Sequence, residues 1–451
     1  MATATLEQTY RYSRESSVGV EGRRIRISLA TSGGKVSQPA LYRGTAAPGS
    51  LVANLLLAVA RVSRTRFYTP AAMIAAELRL ADPVITSHGQ QLRFESFSSC
   101  GSTYARLDLL PAALTAEVAG VGTTNVDFNA GMRSVLSQLG DDQPLDLEVG
   151  DTSLTVRSGG TEVVERKVAL PDRWVKGFSE VQLVQAGLEQ RAELGTNAFM
   201  RFCQQLPSRS ASTHQLSAIP AGDGLRLTRQ KSPEAIRFGG PYRLKALSDV
   251  ARGGRSVRVY SGEKGCAWEI DHGDARMTFV FSPDPSRGFS GEGTALRHLV
   301  DGDGLAIASA LGPLLYWQAA LDPEDLGVRS GLATGAVHQG LAALGATGQL
   351  GYDLRRGTYF HRPLPFGARG MDVLAPRLRD AHRLVEQKAV FMLVVPGGPD
   401  PVEAMVHSGG VEHRVVISAS EARCTCPWFG MHRGERGPCK HELAVRLTVG
   451  G

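Results

Sequence analysis

The chain has 451 residues, with 50 Lys and Arg against 44 Asp and Glu, and a formal net charge of +6. Its 42% hydrophobic and 21% charged residues are typical of globular proteins and exclude a disordered tail or a histone-like polycation. Six cysteines are too few for a disulfide scaffold in a chain of this length. At about 100–200 residues per domain, the length predicts two or three domains. The positive charge permits a polyanionic partner without requiring one.

The sequence has no segment typical of a signal peptide or a membrane anchor. Its N-terminus lacks the basic stretch followed by an apolar one that a signal peptide requires. The most apolar uncharged stretch, residues 305–321, is broken by Gly312 and Pro313. It also falls short of the roughly 20 apolar residues of a spanning helix. We therefore predict no membrane association and a cytoplasmic location.

Residues 1–235 alternate helix-like and strand-like segments and predict an α+β N-terminal region. Residues 92–97 and 145–149 alternate apolar and polar side chains, which is typical of half-buried strands. Residues 152–157 would complete a hairpin with the second of these strands. A helix-like run at 132–139 followed by this hairpin resembles one repeat of a sliding-clamp fold.

Residues 236–325 form a second predicted α+β region, with strands at 256–260 and 277–281. The glycine-rich stretch 287–293 lacks both the spacing and the lysine of a phosphate-binding loop, so a surface loop is favoured. An enzyme would need a pocket in these first two regions, and the side chains that could line it are Trp174, Lys176, Arg287 and Glu292. They show no catalytic spacing, so no catalytic residue is assigned.

Residues 326–366 predict a helix followed by a β-hairpin. Thr334 precedes a segment whose apolar residues share one helical face, and its hydroxyl is suited to cap that helix. Two short strands, at 349–354 and 358–362, then flank a turn at 355–357. A helix followed by a hairpin with a basic tip resembles a winged helix-turn-helix, in which helix and wing both contact DNA.

The DNA-contact residues implied by this resemblance are Arg355 and Arg356, at the tip of the hairpin. A recognition helix normally carries Arg, Lys, Asn or Gln on its outer face. This helix offers only His338 and Gln339 there. The alternative is a helix and a hairpin that pack in a core without touching nucleic acid.

The C-terminal segment contains cysteines and a histidine at the spacing of a metal site. Cys424 and Cys426 are separated by one residue, and Cys439 and His441 follow after twelve more. Zinc prefers tetrahedral coordination by Cys sulfur and His nitrogen, and a site closed by four protein ligands is structural. We predict one structural Zn²⁺ on these four residues. His432, in the intervening loop, is an alternative ligand whose spacing is less suitable.

The order of elements around this cluster resembles the SWIM zinc finger. A strand precedes the first cysteine pair, and a helix is predicted to begin near Cys439, where its dipole favours a thiolate. The string from Cys424 to Val445, including the Cys-Lys-His core, is similar to that family. The resemblance implies a ββα zinc domain, placed here at 390–451, with a proposed role in binding DNA or proteins.

The loop between the two ligand pairs combines aromatic and basic side chains, a composition used both for stacking on bases and in protein hot spots. The residues predicted to contact a partner are Arg433, Arg436 and Lys440. We favour nucleic acid, and DNA in particular, as that partner. A protein–protein adaptor is the alternative, and an enzyme with a site in the N-terminal region is least favoured. The cysteines predicted to be core or surface thiols are Cys100, Cys203 and Cys266.

Overall fold

The structure is a computed structural model of the chain. It describes residues 17–21, 24–29, 41–68, 83–125, 128, 130–140, 145–149, 172–208, 216–230, 232–245, 247–290, 293, 295–364, 375–394, 401–418 and 421–450. The chain divides into two compact units. The N-terminal unit comprises residues 7–174 and 187–288, and the C-terminal unit comprises residues 1–6, 175–186 and 289–451.

The N-terminal unit is rich in strands. These are β1 (Ser17–Glu21), β2 (Arg24–Leu29), β3 (Tyr42–Ala46), β4 (Val84–His88), β5 (Leu92–Phe97), β6 (Thr103–Leu109), β7 (Leu114–Ala119), β8 (Val121–Asn125), β9 (Leu145–Val149), β10 (Glu189–Gly195), β11 (Leu216–Ala221), β12 (Gly224–Thr228), β13 (Ile236–Phe238), β14 (Ser256–Gly262), β15 (Gly265–Asp271) and β16 (Ala275–Phe281). Its helices are α1 (Gly49–Arg64), α2 (Ala130–Ser137), the first residues of α3 (Asp172–Ala186), α4 (Thr196–Gln204) and α5 (Tyr242–Lys245).

The C-terminal unit contains the rest of α3 and most of the later helices. These are α6 (Ala295–His298), α7 (Gly302–Leu311), α8 (Pro323–Ser330), α9 (Thr334–Ala346), α10 (Pro376–Glu386), α11 (Pro427–His432) and α12 (Lys440–Gly450). Its strands are β17 (Leu350–Asp353), β18 (Thr358–His361), β19 (Val390–Val394), β20 (Val402–Ser408), β21 (Val411–Ile417) and β22 (Ala422–Cys424). This mixture of helices and strands confirms the predicted α+β class.

An eight-stranded antiparallel sheet organises the N-terminal unit, in the order β10-β14-β15-β16-β6-β5-β4-β8. Two three-stranded meanders, β4-β5-β6 and β14-β15-β16, join where β6 pairs with β16. Helix α1 packs on β5 and β6 and buries Val52, Leu56 and Val59 in the main core. A five-stranded sheet, β1-β2-β9-β3-β7, and a three-stranded sheet, β12-β11-β13, complete the unit.

Two rows of polar and charged residues cross this eight-stranded sheet, on the face opposite the apolar side chains of β5 and β6. The rows are Arg93–Asp108–Arg276–Asp271 and Glu95–Arg106–Thr278–Glu269–Arg258–Glu193. The Nε atoms of Arg93 and Arg106 lie 2.7 and 3.0 Å from the two carboxylate oxygens of Asp108, and all three side chains are 0% exposed. Strand register therefore sets most of these charges directly opposite charges of the other sign.

These rows overturn one prediction about the strands. The alternation at 92–97 predicts a half-buried strand, and this is wrong because every residue of β5 is buried. Strand β9 confirms a strand at 145–149, although within it only Asp146 is partly exposed. The predicted helix at 132–139 and the strands at 256–260 and 277–281 correspond to α2, β14 and β16. The predicted strand at 152–157 lies outside the described residues.

Three helices and a hairpin in the C-terminal unit share a small core. Helices α7, α8 and α9 pack with the β17–β18 hairpin around Leu311, Leu326 and Leu341. Gly340 lets α7 and α9 approach closely, because a Cβ there would lie 2.5 Å from Cγ2 of Ile307. The hairpin is confirmed, but the predicted cap is wrong. The N-cap of α9 is Ala333, and Thr334 is the first helical residue.

A four-stranded antiparallel meander, β19-β20-β21-β22, forms the second part of the C-terminal unit. Helices α10 and α12 pack against each other and against one face of this sheet. The core between them includes Leu378 and Leu384 from α10, Leu443 from α12, and Val406 and Val415 from the sheet. This core positions the cysteine–histidine cluster at the β22 side of the meander.

Candidate metal centre

Four short structural steps bring the predicted metal ligands together. Cys424 is the last residue of β22, and Cys426 is the N-cap of α11. Cys439 immediately precedes α12, and His441 is the second residue of that helix. All four side chains are buried, and their ligand atoms lie within 4.8 Å of one another. The helix predicted to begin near Cys439 is therefore confirmed.

The distances and donor set fit a tetrahedral zinc ion. With Zn–S near about 2.3 Å and Zn–N near about 2.0 Å, a tetrahedral site separates sulfur and nitrogen by about 3.6 Å. Sγ of Cys424 lies 3.7 Å from Nδ1 of His441. The His413 ring lies 4.3 Å, centre to centre, from the His441 ring and packs against its face. Nδ1 is thus the nitrogen that His441 presents to the sulfur atoms.

Backbone and side-chain donors stabilise thiolates in the cluster. Sγ of Cys426 accepts the N–H of Phe429 at 3.4 Å, and Sγ of Cys439 accepts the N–H of Glu442 at 3.4 Å. Hydrogen bonding with Cys424 and then Cys439 lowers the pKa of Cys426 far below its usual range. The same contact with Cys426 raises the pKa of Cys424. The three sulfur atoms therefore crowd negative charge into a buried space, which suits a cation.

Arg377, on α10, fixes the loop between the two ligand pairs. Its Nη1 donates to the backbone carbonyls of Arg436 and Pro438, at 3.0 and 2.6 Å. Its guanidinium also lies 4.5 Å from the ring centre of Trp428. Sequence reasoning missed Arg377 because it lies far upstream of the cluster and carries no motif of its own.

A buried carboxylate supports the helix that carries two of the ligands. Glu442 follows His441, is 2% exposed, and pairs with Arg297 at 3.2 Å and Arg446 at 3.1 Å. Its position in the first turn of α12 also places a negative charge near the positive end of the helix dipole. The spacing between Glu442 and Arg446 is the one signal in the sequence that points to this contact.

The loop between the ligand pairs is more ordered than the sequence predicts. Its first half forms α11, and Trp428 and Phe429 are half-buried against the core. His432, the alternative ligand, packs its ring against Trp428 at 4.3 Å and lies outside the cluster. Arg433 ends α11 in the left-handed conformation, with φ of 45°.

The three predicted contact residues of the zinc region lie at the surface. Arg433 and Arg436 are exposed, and Lys440 is partly exposed. The wing residues Arg355 and Arg356 are exposed at the β17–β18 turn. Their backbone N–H groups both donate to Oδ1 of Asp353, at 3.1 and 3.2 Å. The structure does not bring the wing residues into the metal cluster.

The remaining candidates do not assemble into a catalytic group in the described part of the chain. Trp174 is buried against Phe97, and Arg287 is half exposed, 4.0 Å from Asp284. Lys176 is partly exposed on α3, and Glu292 lies outside the described residues. An enzyme therefore stays a prediction without a site.

The isolated thiols include two that are buried in the core. Burial raises the pKa of both Cys203 and Cys266 to about 12, which keeps them protonated and unreactive. The Cys100 side chain is partly exposed and hydrogen-bonds the hydroxyls of Ser98 and Ser102. Among the described residues, no helix has the length and apolar character to cross a membrane.

Comparisons with known proteins agree with this geometry at the C-terminus. The family model of the SWIM zinc finger matches residues 413–450. No curated protein sequence matches the chain. Among solved structures, Proliferating Cellular Nuclear Antigen from Entamoeba histolytica is similar at a TM-score of 0.35 and 10% identity, covering 54% of this chain and 99% of that one. A TM-score this low carries no argument, so the clamp-like fold stays a prediction. Residues 413–450 are a SWIM zinc finger, and the cluster within it holds one zinc ion.

Proposed function

We propose that the SWIM zinc finger is a nucleic-acid-binding module of the cytoplasm, with DNA as its favoured ligand. In this proposal the zinc ion is structural, and it keeps the basic loop between the two ligand pairs in one shape. The observation that carries the proposal is a set of exposed cations on a rigid support. Arg433 ends a helix whose cap is a ligand, and Arg436 lies in a segment fixed by Arg377.

The charge around the zinc ion supports this proposal. Residues 421–450 contain five Arg and Lys and three Glu. Two of these acids are neutralised, since Glu421 pairs with Arg423 and Glu442 pairs with Arg446 and Arg297. In the described part of the chain no ion pair involves the cations that remain, which are Arg433, Arg436 and Lys440. They outnumber the single remaining acid, Glu435, and suit contact with phosphates.

The hairpin tip adds a second basic point in the same unit. Asp353 fixes the backbone of Arg355 and Arg356, which point two guanidinium groups away from a well-packed hairpin. Helix α9 contributes less, because its exposed residues include His338 but no Arg or Lys. We infer that α7–α9 with the hairpin acts as a winged helix that contacts DNA through the wing.

Salt titration of duplex DNA binding tests the proposal. Each lost phosphate contact lowers the slope of log K against log salt by about 1. The Arg433→Ala/Arg436→Ala variant should therefore lower the slope by about 2, and Arg355→Ala/Arg356→Ala should act in the same direction. The matched control is Arg226→Ala/Arg252→Ala, which removes two exposed arginines from the N-terminal unit. Slopes that are equal in all three variants would exclude both contact surfaces.

A protein adaptor is the second candidate, and one exposed apolar side chain favours it. Met431 lies on α11 beside the basic loop and is 71% exposed. Exposed methionine is common at protein-binding surfaces because its flexible thioether adapts to different partners. If the wild-type protein binds no DNA at low salt, loss of protein binding in Met431→Ala, with full zinc content, would support this candidate.

A further inference from the structure

Strand β19 departs from the pattern of its neighbours in the four-stranded sheet. A strand with one buried face should alternate apolar and polar side chains. Strand β20 follows this rule, with Ala404 and Val406 buried and Glu403 and His407 on the outer face. Strand β19 also buries alternate residues, but its outer face is apolar. Phe391 is 58% exposed and Leu393 is 56% exposed.

Strand β19 is also the open edge of the sheet. The order β19-β20-β21-β22 leaves β19 paired with β20 alone in the described part of the chain. Val390 and Met392 pack against the core, so the strand is held in place from inside. Natural proteins usually protect such an edge with a charge, a proline or a covering segment, because an apolar edge strand pairs readily with another strand. Strand β19 contains no charged residue and no proline.

We propose that β19 pairs antiparallel with β19 of a second copy of this chain, forming a continuous eight-stranded sheet. A two-fold axis through Met392 would set Phe391 opposite Leu393 of the second copy. The two most exposed apolar residues would then cover each other across the strand pair. Every copy supplies the uncharged, apolar strand that this edge requires, so the interface is self-complementary.

The neighbouring charges are compatible with an antiparallel dimer. Lys388 lies just before β19, four residues from Met392. At about 3.4 Å per residue, antiparallel pairing separates the two Lys388 residues by about 27 Å, whereas parallel pairing would set them about 5 Å apart. On the next strand, Glu403 and Arg414 neutralise each other at 2.6 Å. The outer face therefore brings no unpaired like charges together near the axis.

The short strand limits the strength of this dimer. A pair of five-residue strands buries less than the roughly 1,200 Å² of a standard stable interface. We therefore expect a dimer that dissociates in the micromolar range and is controlled by protein concentration.

The dimer has a consequence for DNA binding that rests on the proposed function. The zinc cluster lies beside β22, at the opposite edge of the sheet from β19. In the dimer the two β22 strands would be seven strand spacings apart, or about 34 Å at about 4.8 Å each. This distance matches one turn of B-DNA, the separation at which symmetric dimers bind two half-sites. The twist of the sheet shortens the direct distance without changing the order of the strands.

Sedimentation analysis of the full chain, at concentrations up to about 0.1 mM, tests the dimer. The wild-type protein should change from monomer to dimer over this range. Leu393→Lys and, independently, Phe391→Lys should remain monomeric while keeping one zinc per chain, since a charge on the edge opposes strand pairing. Val328→Lys is the matched control, because Val328 is 85% exposed on α8 and should leave the dimer intact.

Each outcome decides the proposal. A wild-type protein that stays monomeric overturns it, and so does a dimer that persists in both edge variants. Hydrogen exchange adds a local measurement, because the β19 amides should become protected with concentration in the wild-type protein and in Val328→Lys only.

DNA binding separates the dimer from the proposed function. The wild-type protein should bind a duplex of about two turns more tightly than a duplex of one turn, and Leu393→Lys should lose that difference while keeping its salt slope. If no variant binds DNA, the proposed function fails and sedimentation alone decides the dimer. If the wild-type protein and Leu393→Lys bind both duplexes equally, the two-site arrangement fails.

Discussion

The two units bury charge in different ways. In the N-terminal unit, register across an eight-stranded sheet sets Arg93, Asp108 and Arg276 opposite one another. In the C-terminal unit, the buried thiolates have no such row of partners, and a zinc ion supplies the positive charge. Many paired strands can provide a partner for each buried charge, whereas a few strands cannot. A metal ion is then the compact solution.

The size of each core explains why the difference matters. The sheet β19–β22 and its helices α10–α12 span residues 376–450. A domain of about 70–80 residues rarely has enough apolar burial to be stable alone, and structural metals commonly compensate. The N-terminal unit has a large continuous core around its eight-stranded sheet and does not need this support.

Removal of a zinc ligand should have the largest effect on this contrast. Cys439→Ser leaves the site with three ligands, and structural zinc in small fingers is worth about 10–16 kcal/mol at pH 7. We expect zinc content, measured by elemental analysis, to fall from one per chain towards zero. Hydrogen exchange should increase in β19–β22 and not in the N-terminal unit. Cys100→Ser is the control, because this thiol lies outside the cluster. Full zinc occupancy in Cys439→Ser would contradict the ligand assignment.

Removal of Asp108 should destabilise the other unit by a smaller amount. Asp108→Ala leaves Arg93 and Arg106 buried without their shared carboxylate, which typically costs about 3–5 kcal/mol. Urea unfolding should show this loss with zinc content unchanged. The control is Asp223→Ala, which removes an exposed partner of Arg201 and should cost less than about 1 kcal/mol. Similar losses in the two variants would mean that the charged rows add no stability.

The contact between α10 and the zinc loop should have the smallest effect of the three. Arg377→Ala removes two hydrogen bonds to carbonyls and the stacking on Trp428. We expect a loss of about 2 kcal/mol and faster release of zinc to a chelator. Arg379→Ala, an exposed arginine on the same helix, is the matched control. Equal release rates in the two variants would show that Arg377 does not support the site.

The sequence predicted most of the metal centre because its parts are close along the chain. Cys424 and His441 are 17 residues apart, and the turns between them are set by local features such as Pro427 and the start of α12. The helix-then-hairpin pattern of α9, β17 and β18 was visible for the same reason. The internal order of the zinc loop was not, because α11 depends on the packing of Trp428 against Arg377.

The residue types and spacing by themselves determined the α+β class, the zinc ligands and the SWIM zinc finger. Only the tertiary structure decided which charges are buried, which arginine supports the zinc loop, and which strand is left at the edge. Arg93 and Asp108 are unremarkable polar positions until register sets them side by side. The apolar residues of β19 look like core residues until the strand order places them at the surface. Both features depend on contacts between distant segments, which no local pattern encodes.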